Sequence, residues 1–134
     1  DGGFHRFVVN FWAKPNPSPH RNKHYLADTE PYFHAWNRGY HPVGAHHDMH
    51  RWISAVPLPS KVYGHPTVKP DSVMAKIMRN LSAQTICDPF MGTGSTGVAA
   101  IRAGRTFTGI EHNPRHFATA VARCTAAWEG QQAA

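Results

Sequence analysis

Asp88-Pro89-Phe90-Met91-Gly92-Thr93-Gly94-Ser95-Thr96-Gly97 is the stretch that decides the fold of this chain. Thr85-Ile86-Cys87, just before it, reads as a short buried strand. Val98-Ala99-Ala100-Ile101, just after it, starts a helix stopped at Gly104. Gly92, Gly94 and Gly97 therefore spell G-x-G-x-x-G at a strand-to-helix turn. Glycine there permits a tight turn and lets a ligand approach the backbone, while the helix start offers free N–H groups and the positive end of its dipole.

Working outward, Arg105 to Glu111 reads as the next strand, and Glu111 closes it seventeen residues beyond Gly94. A carboxylate in that place can accept hydrogen bonds from both ribose hydroxyls of an adenosine. Asn113 is an N-cap candidate with Pro114 at the first helical position, and the final helix is expected to pack through Phe117, Ala118, Val121, Ala122 and Trp128. Upstream, Pro70-Asp71 opens a helix with Val73, Met74, Ile77, Met78 and Leu81 on one face. A helix followed by β-α-β-α is the repeating unit of a parallel α/β sheet. With the glycine turn and the terminal acid in this order, it forms a nucleoside-binding unit. A dinucleotide is one candidate ligand. Against it, Asp88 puts a carboxylate at the strand end, where it repels a pyrophosphate and can hold an ammonium.

The full chain has 134 residues, one domain's worth of sequence. It carries 14 Lys+Arg against 8 Asp+Glu, a formal +6, with 41% hydrophobic and only 16% charged residues, which excludes a polar disordered tail. No run of about 18 apolar residues is present, so no ordinary spanning helix is expected. Cys87 and Cys124 give no disulfide framework; they suit a reducing compartment, as small buried apolar side chains. No basic-then-apolar leader points to secretion, and the start at Asp1-Gly2-Gly3 without Met suggests a fragment of a longer protein.

Residues 1–64 have a different texture, with 8 of the 11 His and 7 of the 11 Pro. Phe7-Val8-Val9-Asn10-Phe11-Trp12 reads as a strand, and Tyr32-Phe33-His34-Ala35-Trp36 as a second. Roughly twenty polar residues separate them, too many for a tight hairpin. Residues 39–64 give no expected element. Lys14, Arg21, Lys23, Arg38 and Arg51, interleaved with aromatics, are the candidate DNA contacts of a basic chain. His46-His47-Asp48-Met49-His50 invites a metal, but zinc sites want matched spacing and further ligands. No metal is assigned, and a His-rich loop facing DNA is the plainer reading.

These motifs carry a resemblance. His65-Pro66-Thr67-Val68-Lys69-Pro70, the glycine stretch beginning at Asp88, and a strand ending Gly109-Ile110-Glu111 are together similar to the C-terminal part of the β-class DNA amino-methyltransferases. Phe11-Trp12-Ala13-Lys14-Pro15-Asn16-Pro17-Ser18-Pro19 resembles that family's W-x-K-x-N-P-x-P strand and loop. Tyr25-Leu26-Ala27-Asp28-Thr29-Glu30 resembles a stretch of its adenine-N6 members. The resemblance implies a three-layer, Rossmann-like α/β fold with a mainly parallel sheet, of which this chain supplies only some strands. It divides the chain into a partial catalytic and target-recognition region, 1–64, and a region binding S-adenosyl-L-methionine (AdoMet), 65–134.

The implied activity is methyl transfer from AdoMet to an exocyclic amino group of a base in double-stranded DNA, favouring adenine N6 over cytosine N4. Thr67 and Lys69 would lie near the AdoMet carboxylate end, with His65 also a cofactor-binding candidate, Asp88 by its ammonium, and Phe90, Gly92 and Gly94 along its methionine and ribose. Ser95 and Thr96 would offer backbone N–H groups, Glu111 would take the ribose hydroxyls, and His112 or Asn113 would border the adenine. The family's catalytic tetrapeptide, D/N/S-P-P-Y/F/W, does not occur in this sequence. In the family's order it lies N-terminal to Trp12, so no catalytic residue is assigned and the chain alone is expected to be inactive. The implied setting is the cytoplasm of a bacterium, or a phage, in restriction–modification, with a companion endonuclease left open and no membrane. Two rivals stay open: a non-catalytic AdoMet- or DNA-binding module, and an NAD-type half-domain.

Overall fold

The computed structural model describes residues 3–17, 25–59 and 68–133. Strand β1 (Arg6–Ala13) is rich in β-branched and aromatic residues, which suit a pleated, half-buried surface. It pairs antiparallel with β2 (Thr29–Trp36) over all eight residues, from Arg6 opposite Trp36 to Ala13 opposite Thr29. On its other side β1 takes the short β3 (Trp52–Ser54) in parallel, with Phe11 opposite Trp52. The long connection therefore does not keep β1 and β2 apart; cross-strand contacts, not a turn, set their register. β3 and a 3-10 turn at His46–Met49 are elements the sequence did not announce.

The second sheet is β4 (Thr85–Asp88) parallel to β5 (Thr106–Gly109), with Ile86 opposite Phe107. Helix α1 (Asp71–Arg79) precedes β4, α2 (Ser95–Arg102) joins the two strands, and α3 (Pro114–Gln132) follows β5. This is the expected α/β order. Helix α1 presents Met74 and Met78 to Ile86, Ala99 and Ala100, with Ile77, Leu81 and Phe107 packed around them, so the expected apolar stripe does form the core. Past its last turn, Arg105 donates to the carbonyls of Met78 and Leu81, both at 2.7 Å, pairing backbone acceptors at the helix end.

Two expectations fail here. Cys87 is exposed, as are Thr85, Thr106 and Thr108, because no described element covers that face of the β4–β5 pair. Helix α3 is also rotated from its expected setting: Phe117, Ala118, Val121, Ala122 and Trp128 are exposed, and Ala120 is buried. A Cβ added at Gly94 would stand 3.0 Å from Ala120 Cβ. The glycine turn therefore accepts only a small side chain from α3, and the bulky ones are turned outward. The β2-β1-β3 sheet likewise has an open apolar face, with Phe7 64%, Phe33 68% and Trp52 61% exposed.

The His-rich segment is held by α1. Lys76, only 4% exposed, donates to the carbonyls of Asp48 and His50, each at 2.6 Å. Arg79 meets the Asp48 carboxylate through two bonds, at 2.9 and 2.8 Å, and Asn80 donates to Asp48 O at 3.0 Å. The Arg79 guanidinium holds the Asp48 carboxyl below its ordinary range, while burial pulls the Lys76 ammonium down. Replacing Lys76 by Met takes a charged donor from the buried Asp48 carbonyl and the partly buried His50 carbonyl. Urea denaturation should show a loss of about 2 kcal/mol; an unchanged midpoint would mean the loop does not depend on this ammonium.

Candidate functional site

The site is assembled where β4 and β5 end. Ile110 N donates to Asp88 O at 2.9 Å and Met91 N to Ile110 O at 3.0 Å, so the two strand ends stay zipped beyond the sheet. Between them the chain turns through Gly92 at φ 53° and Gly94 at φ 82°, left-handed values that glycine adopts without strain. Gly94 is the N-cap of α2 with no side-chain cap bond. The helix's first amides therefore remain available to a ligand. Asp88 Oδ1 accepts from Phe90 N at 3.0 Å, which fixes the carboxylate at the end of β4. Phe90 itself is 88% exposed.

Glu111 is the clasp. Its Oε1 accepts from Asn113 N at 2.8 Å and its Oε2 from Gly92 N at 3.0 Å. One carboxylate thus joins the end of β5, the glycine turn and the start of α3. The Asn113 amide is the chief cause that holds its carboxyl below the ordinary value; burial opposes this, and the Gly92 amide and two nearby histidines add to it. Asn113 caps α3 as expected, its Oδ1 accepting from Arg115 N at 3.0 Å and His116 N at 3.4 Å. Oε1 also lies 3.3 Å from His112 Nδ1, so Oε2 is the oxygen with the freer lone pair for a hydroxyl donor.

Of the expected cofactor residues, Asp88, Phe90, Gly92, Gly94, Ser95, Thr96, Glu111 and Asn113 gather around this turn. His65 and Thr67 lie outside the described residues. Lys69 is drawn to Glu30, at 2.6 Å, whose other oxygen meets Lys14, also at 2.6 Å. Both ammonium groups lie over the buried Trp12 ring, at 5.2 and 5.5 Å. Burial pushes the Glu30 carboxyl up, but hydrogen bonds from the two lysines overcome it and hold it below its ordinary value. Glu30 ends the Tyr25–Glu30 stretch, but its role depends on the cross-strand register that sets it opposite Trp12.

Among the expected DNA contacts, Lys14 is thus engaged, and Arg21 and Lys23 lie outside the described residues. Arg38 and Arg51 are exposed and form no ion pair among the described residues. No three metal-ligating side chains come together among those residues, and no helix there is long and apolar enough to cross a membrane.

A family model described as DNA methylase matches residues 3–122. The type II methyltransferase M2.LlaDCHI of Lactococcus lactis subsp. cremoris is 28% identical over 131 aligned residues, covering 84% of this chain and 48% of that protein. M2.MboI of Moraxella bovis, also a type II methyltransferase, is 29% identical over 117 residues, covering 75% and 42%. The crystal structure of the M1.HpyAVI–SAM complex superposes with a TM-score of 0.73 at 31% identity, over 87% of this chain and 62% of that one. The chain spans about half the length of the curated relatives it matches.

The Glu111 clasp makes the turn acid-sensitive. A carboxyl with a lowered folded pKa adds stability that is fully present above its ordinary value, 4.5, and is lost as pH falls through the lower folded value. Denaturation midpoints measured from pH 6 down to about 3 should fall more steeply for the native chain than for Glu111→Gln. Parallel curves would remove Glu111 from that role.

Proposed function

The chain belongs to the N6/N4 DNA methylase family, and from that premise we propose that it forms the AdoMet-binding part of a DNA methyltransferase acting on an exocyclic base amine. In this reading residues 65–134 hold the cofactor, and residues 1–64 supply part of the catalytic and target-recognition region. The observation that carries it is the Glu111 carboxylate, pinned by the Gly92 and Asn113 amides beside an uncapped helix start. That arrangement suits a ribose and an uncharged backbone approach. Asp88 at the mouth suits an ammonium and disfavours a pyrophosphate.

AdoMet, when bound, supplies a methyl group on a sulfonium, activated for in-line transfer. The work of this chain is positioning and electrostatics. Asp88 receives the ammonium, the exposed Phe90 ring covers the ligand, and Ser95 and Thr96 offer amides. Lys69, steadied by Glu30, is assigned to the carboxylate end, a role that the sequence pattern alone also gives Thr67, and Asn113 borders the adenine. The lone pair of a base amine is conjugated, and the tetrapeptide acceptors that would polarise it do not occur in these 134 residues. The chain alone therefore binds without turning over. Its Tyr25–Glu30 stretch favours adenine N6 as the target, with cytosine N4 the alternative.

Calorimetric titration with AdoMet and, separately, NAD tests the cofactor. AdoMet binding is expected, with at least a tenfold loss (about 1.4 kcal/mol) in Asp88→Ala and Glu111→Ala; NAD binding without an AdoMet response would sink the reading. For double-stranded DNA, the partner proposed here within a restriction–modification setting, affinity should fall with salt. Arg38→Ala and Arg51→Ala should each flatten the log–log salt slope by about one, read by fluorescence anisotropy. Unchanged slopes would take those arginines off the phosphates.

A further inference from the structure

Helix α3 is the bed on which the glycine turn rests. Ala120, Arg123 and Cys124 follow one another at helical spacing and share a face. Ala120 lies under Gly94. A Cβ added at Gly97 would meet Cys124 Sγ at 2.7 Å and Phe107 at 2.6 Å. Between these contacts, Arg123 Nη1 donates to Thr93 O at 2.6 Å and lies 3.3 Å from Thr93 Oγ1 and 3.4 Å from Ser95 Oγ.

Thr93 is 4% exposed, and its carbonyl precedes the helical ladder, whose first bond runs from Val98 N to Gly94 O. A buried carbonyl outside regular structure must find a donor. Arg123 is that donor, and a charged one, which makes the bond stronger than a neutral pair. The same peptide unit sends Gly94 N to Met91 O at 2.8 Å. Both ends of the Thr93–Gly94 peptide plane are therefore tied from within the protein. What remains on the ligand side is the run of amides that opens α2.

We propose that Arg123 is a positioning residue of the cofactor site: from behind the turn it fixes the Thr93–Gly94 peptide plane and the Ser95 hydroxyl, so that the first amides of α2 stay aimed at the ligand. This rests on the AdoMet reading of the same turn. Glu111 holds the turn at Gly92 and Arg123 holds it at Thr93, so the loop is clamped at two successive residues by opposite charges. Neither clamp touches the reacting atoms.

Hydrogen exchange and AdoMet titration of the whole chain test this, using Arg123→Met, which keeps the aliphatic stem, and Arg123→Lys, which restores a charged nitrogen. In Met, exchange across 92–96 should speed up about tenfold while β4 and α1 keep their rates. AdoMet affinity should fall about tenfold, and Lys should recover most of both. Uniform loosening of the whole chain, or no recovery with Lys, would overturn the proposal and leave Arg123 a general packing residue. Unchanged exchange in Met would also overturn it. If the native chain does not bind AdoMet, the functional reading fails, and the exchange result still decides the positioning role. Should Arg123→Met not fold, Arg123→Gln, neutral and too short to reach Thr93 O, should show the same selective loosening; native exchange rates at 92–96 there would count against the clamp.

Discussion

Phe107 and Cys124 stand so near Gly97, and Ala120 so near Gly94, that no side chain fits at either position without something shifting. This close approach of α3, α2 and β5 organises the rest of the site. It sets which face of α3 turns inward, and so brings Arg123 against Thr93 O. It also places the N-terminus of α3 where the Asn113 amide can share Glu111 with Gly92. A methyl at Gly97 would have to displace the Phe107 ring and the Cys124 thiol, and one at Gly94 would need Ala120 to give way by a few tenths of an ångström. Packing inside proteins is dense enough that such a displacement cannot be absorbed locally.

A second level of organisation is ionic. Glu30 and Asp48 each sit on the strand-and-loop region, and each is met by basic side chains including one from residues 68–80. Glu30 binds Lys14 and Lys69 across the sheet, while Asp48 takes Arg79 with Lys76 beneath it. Exposed ion pairs contribute little to stability. Here the two carboxylates are partly or fully buried and each is bonded on both oxygens, so their main effect is geometric. Breaking one leaves an uncompensated charge, which is why such networks fix one arrangement against its neighbours.

The local elements were legible because their signals are local. The stripe from Val73 to Leu81, the Asn113-Pro114 start of α3 and the stop at Gly104 depend on residues within a turn or two, and each stands where the sequence places it. The gathering of Asp88, the glycines and Glu111 followed from strand order alone. Register between distant strands did not follow, because the pairing of Trp12 with Glu30 depends on cross-strand packing that no spacing announces. The burial of Lys76 was hidden for a similar reason: in sequence it reads as a solvated helical lysine, and only the loop carbonyls explain it. Helix α3 carries small and large apolar residues on several faces. The choice between them was made by Gly94, on another element.

Cys87 and Cys124, the two thiols of the chain, end up on opposite sides of the same two-stranded sheet. Cys87 is exposed on the open face, one residue before Asp88. Cys124 lies behind Gly97, with burial raising its pKa and so lowering its thiolate fraction. A thiol reagent therefore has a fast target and a slow one, separated by the sheet itself. The fast thiol reports anything that comes to cover the open face, and the slow one reports any lifting of α3 from the glycine turn. The protein thus carries its own pair of chemical probes.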